Sequence, residues 1–400
     1  MTSTWREVPL MDLCRPKQWP TISTSQLSPS GFPVYGANGR IGFFTEYNHE
    51  HPTILITCRG ATCGTVNICE SQSYVTGNAM ALDDLDTERA DLRFLYYALI
   101  SRGLDDTITG SAQPQITRET LKRVSVLLPS TISEQQRIAA ILDKADGIRR
   151  KRNEAIALTE ELLRSAFLEM VGPQATRYSR WPIQKIEELA ADTPNSMRTG
   201  PFGSDLRHSE FVDEGVAVLG IDNAVQNKFA WGERRFITND KYENLKRYTV
   251  YPDDVIITIM GTVGRSAVVP SDVPTAITSK HLATITLNRE LVEPEFLSQA
   301  IHRHPEVLAQ IERANRGAIM NGLNLGLIRS LELRVPPKDI QSQFTTWVSR
   351  VRSMEDCMSR AVMETDALFA SLVHDAFRGE LTPRTGRADR QLDLFQTKGA

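Results

Sequence analysis

An internal repeat constrains this chain more than any other feature, because a repeat decides the architecture before any single element can. Glu134–Val171 align without a gap with Ile340–Phe377. Gln135/Gln341, Ala155/Ala361, Thr159/Thr365, Leu162/Leu368 and Ser165/Ser371 are identical, and Ile138/Phe344, Leu142/Val348 and Leu163/Phe369 keep apolar character. The match extends upstream. Ile116-Thr117 through Val124, Val126, Leu128 and Pro129 corresponds to Leu323-Asn324 through Leu331, Leu333, Val335 and Pro336. Both copies read as a helical turn, an alternating strand and a proline. Trp5, Leu10 and Leu13 match Trp181, Ile186 and Leu189, and Ile54–Thr57 ending at Gly60 matches Val255–Thr258 ending at Gly261. The chain is therefore a tandem duplication of one unit, a β-rich domain followed by a long helix.

The first helix is expected from about Ser133, as N-cap, to about Val171, before Gly172-Pro173. Apolar residues at Ile138, Ile141, Ala145, Ile148, Ala155, Thr159, Leu162, Ala166 and Met170 step by three and four, the period of a coiled-coil seam. The second copy repeats the steps at Phe344, Trp347, Val351, Met354, Met358, Ala361, Thr365, Leu368 and Leu372, and stops at Arg378-Gly379. Each helix would span roughly 57 Å at about 1.5 Å per residue. Two such helices in one chain most simply pair with each other. The Arg149-Arg150-Lys151-Arg152 run reads either as a phosphate-facing patch or as a solvated helix face.

Residues 1–125 and 175–330 are dense in short β-type runs broken by glycine and proline, such as Thr53–Thr57 and Val216–Leu219. The loops between them carry side chains that donate to and accept from base edges in a DNA groove. Gly36–Arg40 and Gly110–Gln115 in the first half correspond to Arg198–Ser204 and Asn315–Asn321 in the second. Candidate DNA-binding residues are Tyr35, Asn38, Arg40, Arg59, Asn78, Gln113 and Gln115, then Arg198, Ser204, Arg207, Asn223, Arg265, Lys280, His281, Arg316 and Asn321.

A net charge of −3 is unusual for a protein that grips DNA unaided, since phosphate neutralisation drives affinity. Either the basic residues are locally arranged or partner subunits supply the phosphate contacts. No phosphate loop, dinucleotide fingerprint, Asn-Pro-Pro-aromatic tetrapeptide or HExxH is present, so no catalytic role and no cofactor is expected. Cys58, Cys63 and Cys69 are spaced too loosely for a structural zinc site. His302 and His304, flanking Arg303, read as a solvated helix end. Five cysteines without paired spacing, no apolar run of membrane-spanning length and no signal-peptide layout point to the cytoplasm.

Several segments carry a family resemblance: Leu55–Gly60, the Pro129–Ile141 entry into the first helix with its Glu134-Gln135-Gln136-Arg137-Ile138, Gly200-Pro201-Phe202-Gly203-Ser204, and Phe377-Arg378-Gly379-Glu380-Leu381. Together, and correctly placed, they resemble the specificity subunits of type I restriction-modification systems. Ile340-Gln341-Ser342-Gln343-Phe344 departs from the pattern in lacking the glutamate of the first entry. The resemblance implies an α+β fold with two β-rich target recognition domains, residues 1–130 and 175–337. It implies two helical spacers, 131–172 and 338–382, pairing as an antiparallel coiled coil in a pseudo-two-fold repeat, and a C-terminal tail over 383–400. It further implies a non-catalytic subunit that reads a split double-stranded DNA target and scaffolds methylation subunits, two of them, and restriction subunits. The alternatives are a standalone DNA-binding nuclease and a coiled-coil adaptor.

Overall fold

The computed structural model describes residues 5–37, 39–110, 113–315 and 322–381. The chain divides into two compact units, one comprising residues 1–155 with 357–400, the other residues 156–356. Each long helix is thus shared. The first, Ile132–Met170, gives its N-terminal part to unit 1, and the second, Lys338–Phe377, gives its C-terminal part to the same unit.

In unit 1, Trp5–Pro9 pairs antiparallel with Ser125–Pro129. A four-stranded sheet has the order Arg15–Gln18, Ala79–Asp83, Ile54–Thr57, Val66–Ile68. A three-stranded sheet sets Phe32–Gly36 between Gly39–Phe44 and the parallel Tyr74–Val75. Unit 2 repeats the plan. Ile183–Lys185 pairs with Glu332–Arg334, and one sheet runs Met197–Thr199, Leu282–Ile285, Val255–Thr258, Ser266–Val268. In the other, Val216–Leu219 again lies parallel to a later strand, Ala276–Thr278. The duplication read from the sequence is therefore a duplication of topology, and the fold class is the expected mixture of β-rich domains and paired long helices.

Both units bury one face of both helices. The unit 1 core joins Leu10, Ile56 and Phe94 to Ile138, Leu142, Leu372 and Ala376, and the unit 2 core joins Ile257 and Phe296 to Leu163, Phe167, Phe344 and Val348. The partners run in opposite senses. Arg137 donates to the Leu381 carbonyl and Arg152 to Thr365 Oγ1 in unit 1, and the Phe167 ring meets Phe344 edge-on at 5.7 Å in unit 2. Two members of the basic run, Arg149 and Arg152, serve this pairing. Arg149 contacts Asp146, lies 3.8 Å from Asp366 and covers the Phe369 ring, and Arg150 pairs with Asp146.

The seam differs from the expected one in detail. Leu162 is 49% and Met354 59% exposed, while Leu163, Phe167, Val348 and Phe369 are buried. Near their ends the helices face a β domain as well as each other, so the buried stripe widens beyond a two-position seam. The first helix also begins earlier than read, at Ile132, with Thr131 Oγ1 rather than Ser133 accepting from Glu134 N at 3.4 Å.

The identical Gln135 and Gln341 explain how each helix is aimed. Gln135 accepts from Asp91 N at 2.8 Å and donates to the carbonyls of Arg89 and Pro129 at 3.0 and 3.1 Å. Gln341 accepts from Glu293 N at 2.8 Å and donates to the carbonyls of Leu291 and Pro336 at 3.1 and 2.8 Å. Asp91 and Glu293 are the N-caps of Leu92–Arg102 and Pro294–Arg303. One buried amide in each unit therefore ties the start of a long helix to the start of a domain helix and to the strand-ending proline.

His302 and His304 are not a solvated helix end. His304 is fully buried, with Nδ1 accepting from Glu306 N and Nε2 lying 2.9 Å from the Tyr178 hydroxyl. Ser266 donates its one proton to the Ser298 carbonyl at 2.7 Å, so His302 Nδ1, 3.0 Å away, donates to Ser266 Oγ. This leaves Nε2 buried and unprotonated. Burial, aided by the Arg303 charge, lowers His302 to about 3.

Two outcomes follow. Gln135→Leu should cost about 1–3 kcal/mol for the orphaned Asp91 N–H alone; urea unfolding of the full chain checks it, and a loss near zero would show that water replaces the amide. Between pH 6.5 and about 3 the unfolded chain binds a proton at residue 302 that the folded chain refuses. His302 therefore supports the fold above pH 6.5, and that support declines with acidification. His302→Gln should narrow the stability difference between pH 7 and pH 5, measured by urea titration at both.

Candidate nucleic-acid interface

In each unit a parallel strand pair releases two loops at one end, and a third loop is bonded to them. In unit 1, Thr76 N donates to the Tyr35 carbonyl at 2.9 Å, Cys58 N to the Asn78 carbonyl at 3.2 Å, and Ile116 N to the Cys58 carbonyl at 3.0 Å. In unit 2, Ser279 N donates to the Leu219 carbonyl at 2.8 Å, Ile259 N to the His281 carbonyl at 2.9 Å, and Leu323 N to the Ile259 carbonyl at 3.0 Å. These three links correspond one to one, so the duplication conserves the loop-bearing end as well as the sheets.

This arrangement gathers part of the predicted set. In unit 1, Arg59, Asn78, Gln113 and Gln115 are exposed on adjoining loops, with Arg59 bridged to Gln115 and Gly60 N donating to the Pro114 carbonyl at 3.2 Å. Arg40 is exposed on the hairpin strand Gly39–Phe44, 3.9 Å from Glu70. Tyr35 is buried, its hydroxyl bonded to Glu70 at 3.0 Å, so it shapes the sheet rather than facing solvent. In unit 2, Ser204, Arg207, Arg265 and Lys280 are exposed and His281 half-buried. The positions Asn38, Arg316 and Asn321 lie outside the described residues.

Two further predicted residues are consumed by the fold. Arg198 is 6% exposed. It pairs with Asp254 at 2.6 Å and donates to the carbonyls of Thr249 and Asn195, each at 3.0 Å, and to Thr286 Oγ1 at 2.9 Å. Burial raises the Asp254 carboxyl against the pull of that guanidinium. Asn223 closes a turn, accepting from Gly220 N and donating to the Ala230 carbonyl, each at 2.8 Å. A charged or amide side chain near a glycine-rich loop looks the same in sequence whether it points outward or staples the loop. Only the partners decide.

The Gly200-Pro201-Phe202-Gly203-Ser204 loop depends on its first glycine, since a Cβ there would lie 2.2 Å from the Thr278 carbonyl oxygen. Gly200 thus lets this loop cross directly over the parallel pair. The loop walls a cleft of about 420 Å³ with Leu206, Phe211 and Ile221, and His208, Asp222, Arg235, Ser279, Lys280 and His281 line its polar side. The sequence reading missed Ser279 and Arg235. The only signal was the proximity of Ser279 to Lys280, because a lone serine carries no pattern. Among the described residues no cluster of three or more metal-ligating side chains occurs, and no helix is long and apolar enough to cross a membrane.

Arg198→Met should destabilise the chain by about 3–5 kcal/mol, the cost of stranding one member of a buried pair. Arg207→Ala, at the exposed rim, should leave stability within about 0.5 kcal/mol. Thermal and urea unfolding of both variants check the contrast.

Residues 2–158 match the model of the type I restriction modification DNA specificity domain. Over 115 residues the chain is 34% identical to the EcoprrI specificity subunit of Escherichia coli, covering 29% of this chain and 28% of that relative's length. Over 379 residues it is 20% identical to the Escherichia coli EcoBI specificity subunit, covering 88% of this chain and 76% of that one. The crystal structure of the type I restriction-modification S subunit from M. genitalium superposes with a TM-score of 0.60 at 18% identity, over 94% of this chain and 96% of that one.

Proposed function

Because the chain belongs to the specificity subunits of type I restriction-modification systems, we propose that it is the non-catalytic DNA-reading subunit of such a complex and that each unit reads one half of a split target. The observation that carries this reading is the paired loop cluster, three corresponding backbone links in each unit with exposed polar and basic residues around them. Arg59, Asn78, Gln113 and Gln115 serve the first half-site. Ser204, Arg207, Arg265, Lys280 and His281 serve the second. Arginine and lysine suit guanine O6 and N7, and asparagine and glutamine suit adenine.

Methylation subunits bound to the long helices modify adenine with S-adenosylmethionine, and restriction subunits supply ATP-driven cleavage. This chain contributes the address, in the cytoplasm. The net charge of −3 supports a division of labour in which those partners neutralise most phosphates while the loops discriminate bases.

The test is the methylated motif of cells carrying this chain with its methylation subunits. Exchange of residues 1–125 for those of a relative should change one half-site and spare the other. The exchanged segment must retain the core face that meets Leu372 and Ala376. A motif without two parts, or a change in both halves, would refute the reading.

A further inference from the structure

The cleft of unit 2 holds an unusual set of polar atoms. Ser279, His281 and Asp222 line it, and each carries a buried polar atom, Ser279 Oγ, His281 Nδ1 and Asp222 Oδ2, that has no hydrogen-bond partner. Folded proteins rarely leave such atoms unpaired, because a buried donor or acceptor without a partner loses its hydration for nothing in return. Three of them beside one cleft, two from a single loop, mark a place completed from outside the chain.

The chemistry of the cleft selects the class of ligand. Pro201, Leu206, Phe211 and Ile221 give it an apolar side, which suits a flat group, while His208 and Asp222 add polar edges that suit hydrogen-bond donors on that group. Burial, with the charges of Lys280 and Arg235, lowers His281 and keeps the imidazole neutral at pH 7. A neutral ring offers one donor and one acceptor, and a serine hydroxyl offers both. Arg235 is already engaged, 3.4 Å from Asp222 and 3.0 Å from Glu233, so the strongest cation in the cleft is not held ready for phosphate. Lys280, exposed beside His281, is placed for a backbone phosphate. The corresponding hydroxyl in unit 1, Thr76 Oγ1, is also unpartnered, but Thr76 is 1% exposed, so the open form belongs to unit 2.

We propose that this cleft is a base-reading pocket of the second unit, in which Ser279 and His281 bind the hydrogen-bonding edge of one nucleobase of the half-site while Lys280 holds a neighbouring phosphate. The proposal rests on the DNA-specificity reading above and names the residues that decide one position of the target.

The experiment selects from a randomised duplex library with the full chain and its methylation subunits, comparing wild type with Ser279→Ala, His281→Ala and Lys280→Ala. Wild type should select a two-part motif. Ser279→Ala and His281→Ala should each lose about tenfold or more of the base preference at one position, as expected for loss of a good base contact. That position should lie in the half-site that exchange of residues 1–125 leaves unchanged, with the other half-site and the spacer unaltered. Lys280→Ala should weaken all sequences equally and flatten the salt dependence. His281→Gln, which retains a donor and an acceptor, serves if the alanine variant melts early. Uniform weakening by the Ser279 and His281 variants, or an unchanged preference, overturns the pocket while leaving the two-part reader intact. Failure of wild type to select any two-part motif overturns both.

Discussion

A helix of about forty residues with an apolar stripe cannot stand alone in water, and covering that stripe governs the rest of this structure. Each long helix is covered in two instalments. The first helix is buried by unit 1 along its N-terminal part and by unit 2 along its C-terminal part, and the second helix in the reverse order. Opposite running of the helices is what allows this. Each unit obtains an inward-facing stripe from both, and its core is assembled from segments far apart in the chain. Within unit 1 the pairing also has a polar contact, where Arg152 meets Thr365 on the facing helix.

Polar satisfaction then sets the direction of each helix. Apolar burial is indifferent to small rotations, whereas a buried amide with three backbone partners is not. Gln135 and Gln341 fill this role at equivalent positions, and neighbouring pairs reinforce them. Arg93 and Tyr97 hold Asp143 in unit 1, and Arg352 holds Glu295 in unit 2. This use of arginine bears on function. Arg93, Arg198, Arg303 and Arg352 are all committed to carboxylates within their own units, so the chain's basic residues overstate the charge it can offer to a polyanion.

Legibility differed by level. The repeat, the two helices and the α+β class follow from periodicity, which is local and is read directly from residue spacing. Helix faces were harder. Leu162 and Leu163 differ by one position, and the stripe that is buried depends on where the β domain lies. The candidate loops were visible as glycine-rich segments between strands, yet Arg198 and Arg207, nine residues apart in one such region, have opposite fates. Ser279 had only its proximity to Lys280 as a signal, because its interest lies in what does not touch it.

By itself the sequence determined that one unit occurs twice and that each copy ends in a long amphipathic helix. These properties are periodic, and periodicity survives without knowledge of partners. Tertiary structure alone decided how the helices are divided between units, that Arg198 and Asn223 are structural, and that Ser279 and His281 share a cleft. Each of those depends on which distant backbone or side-chain group comes within about 3 Å, a quantity that spacing along the chain does not contain.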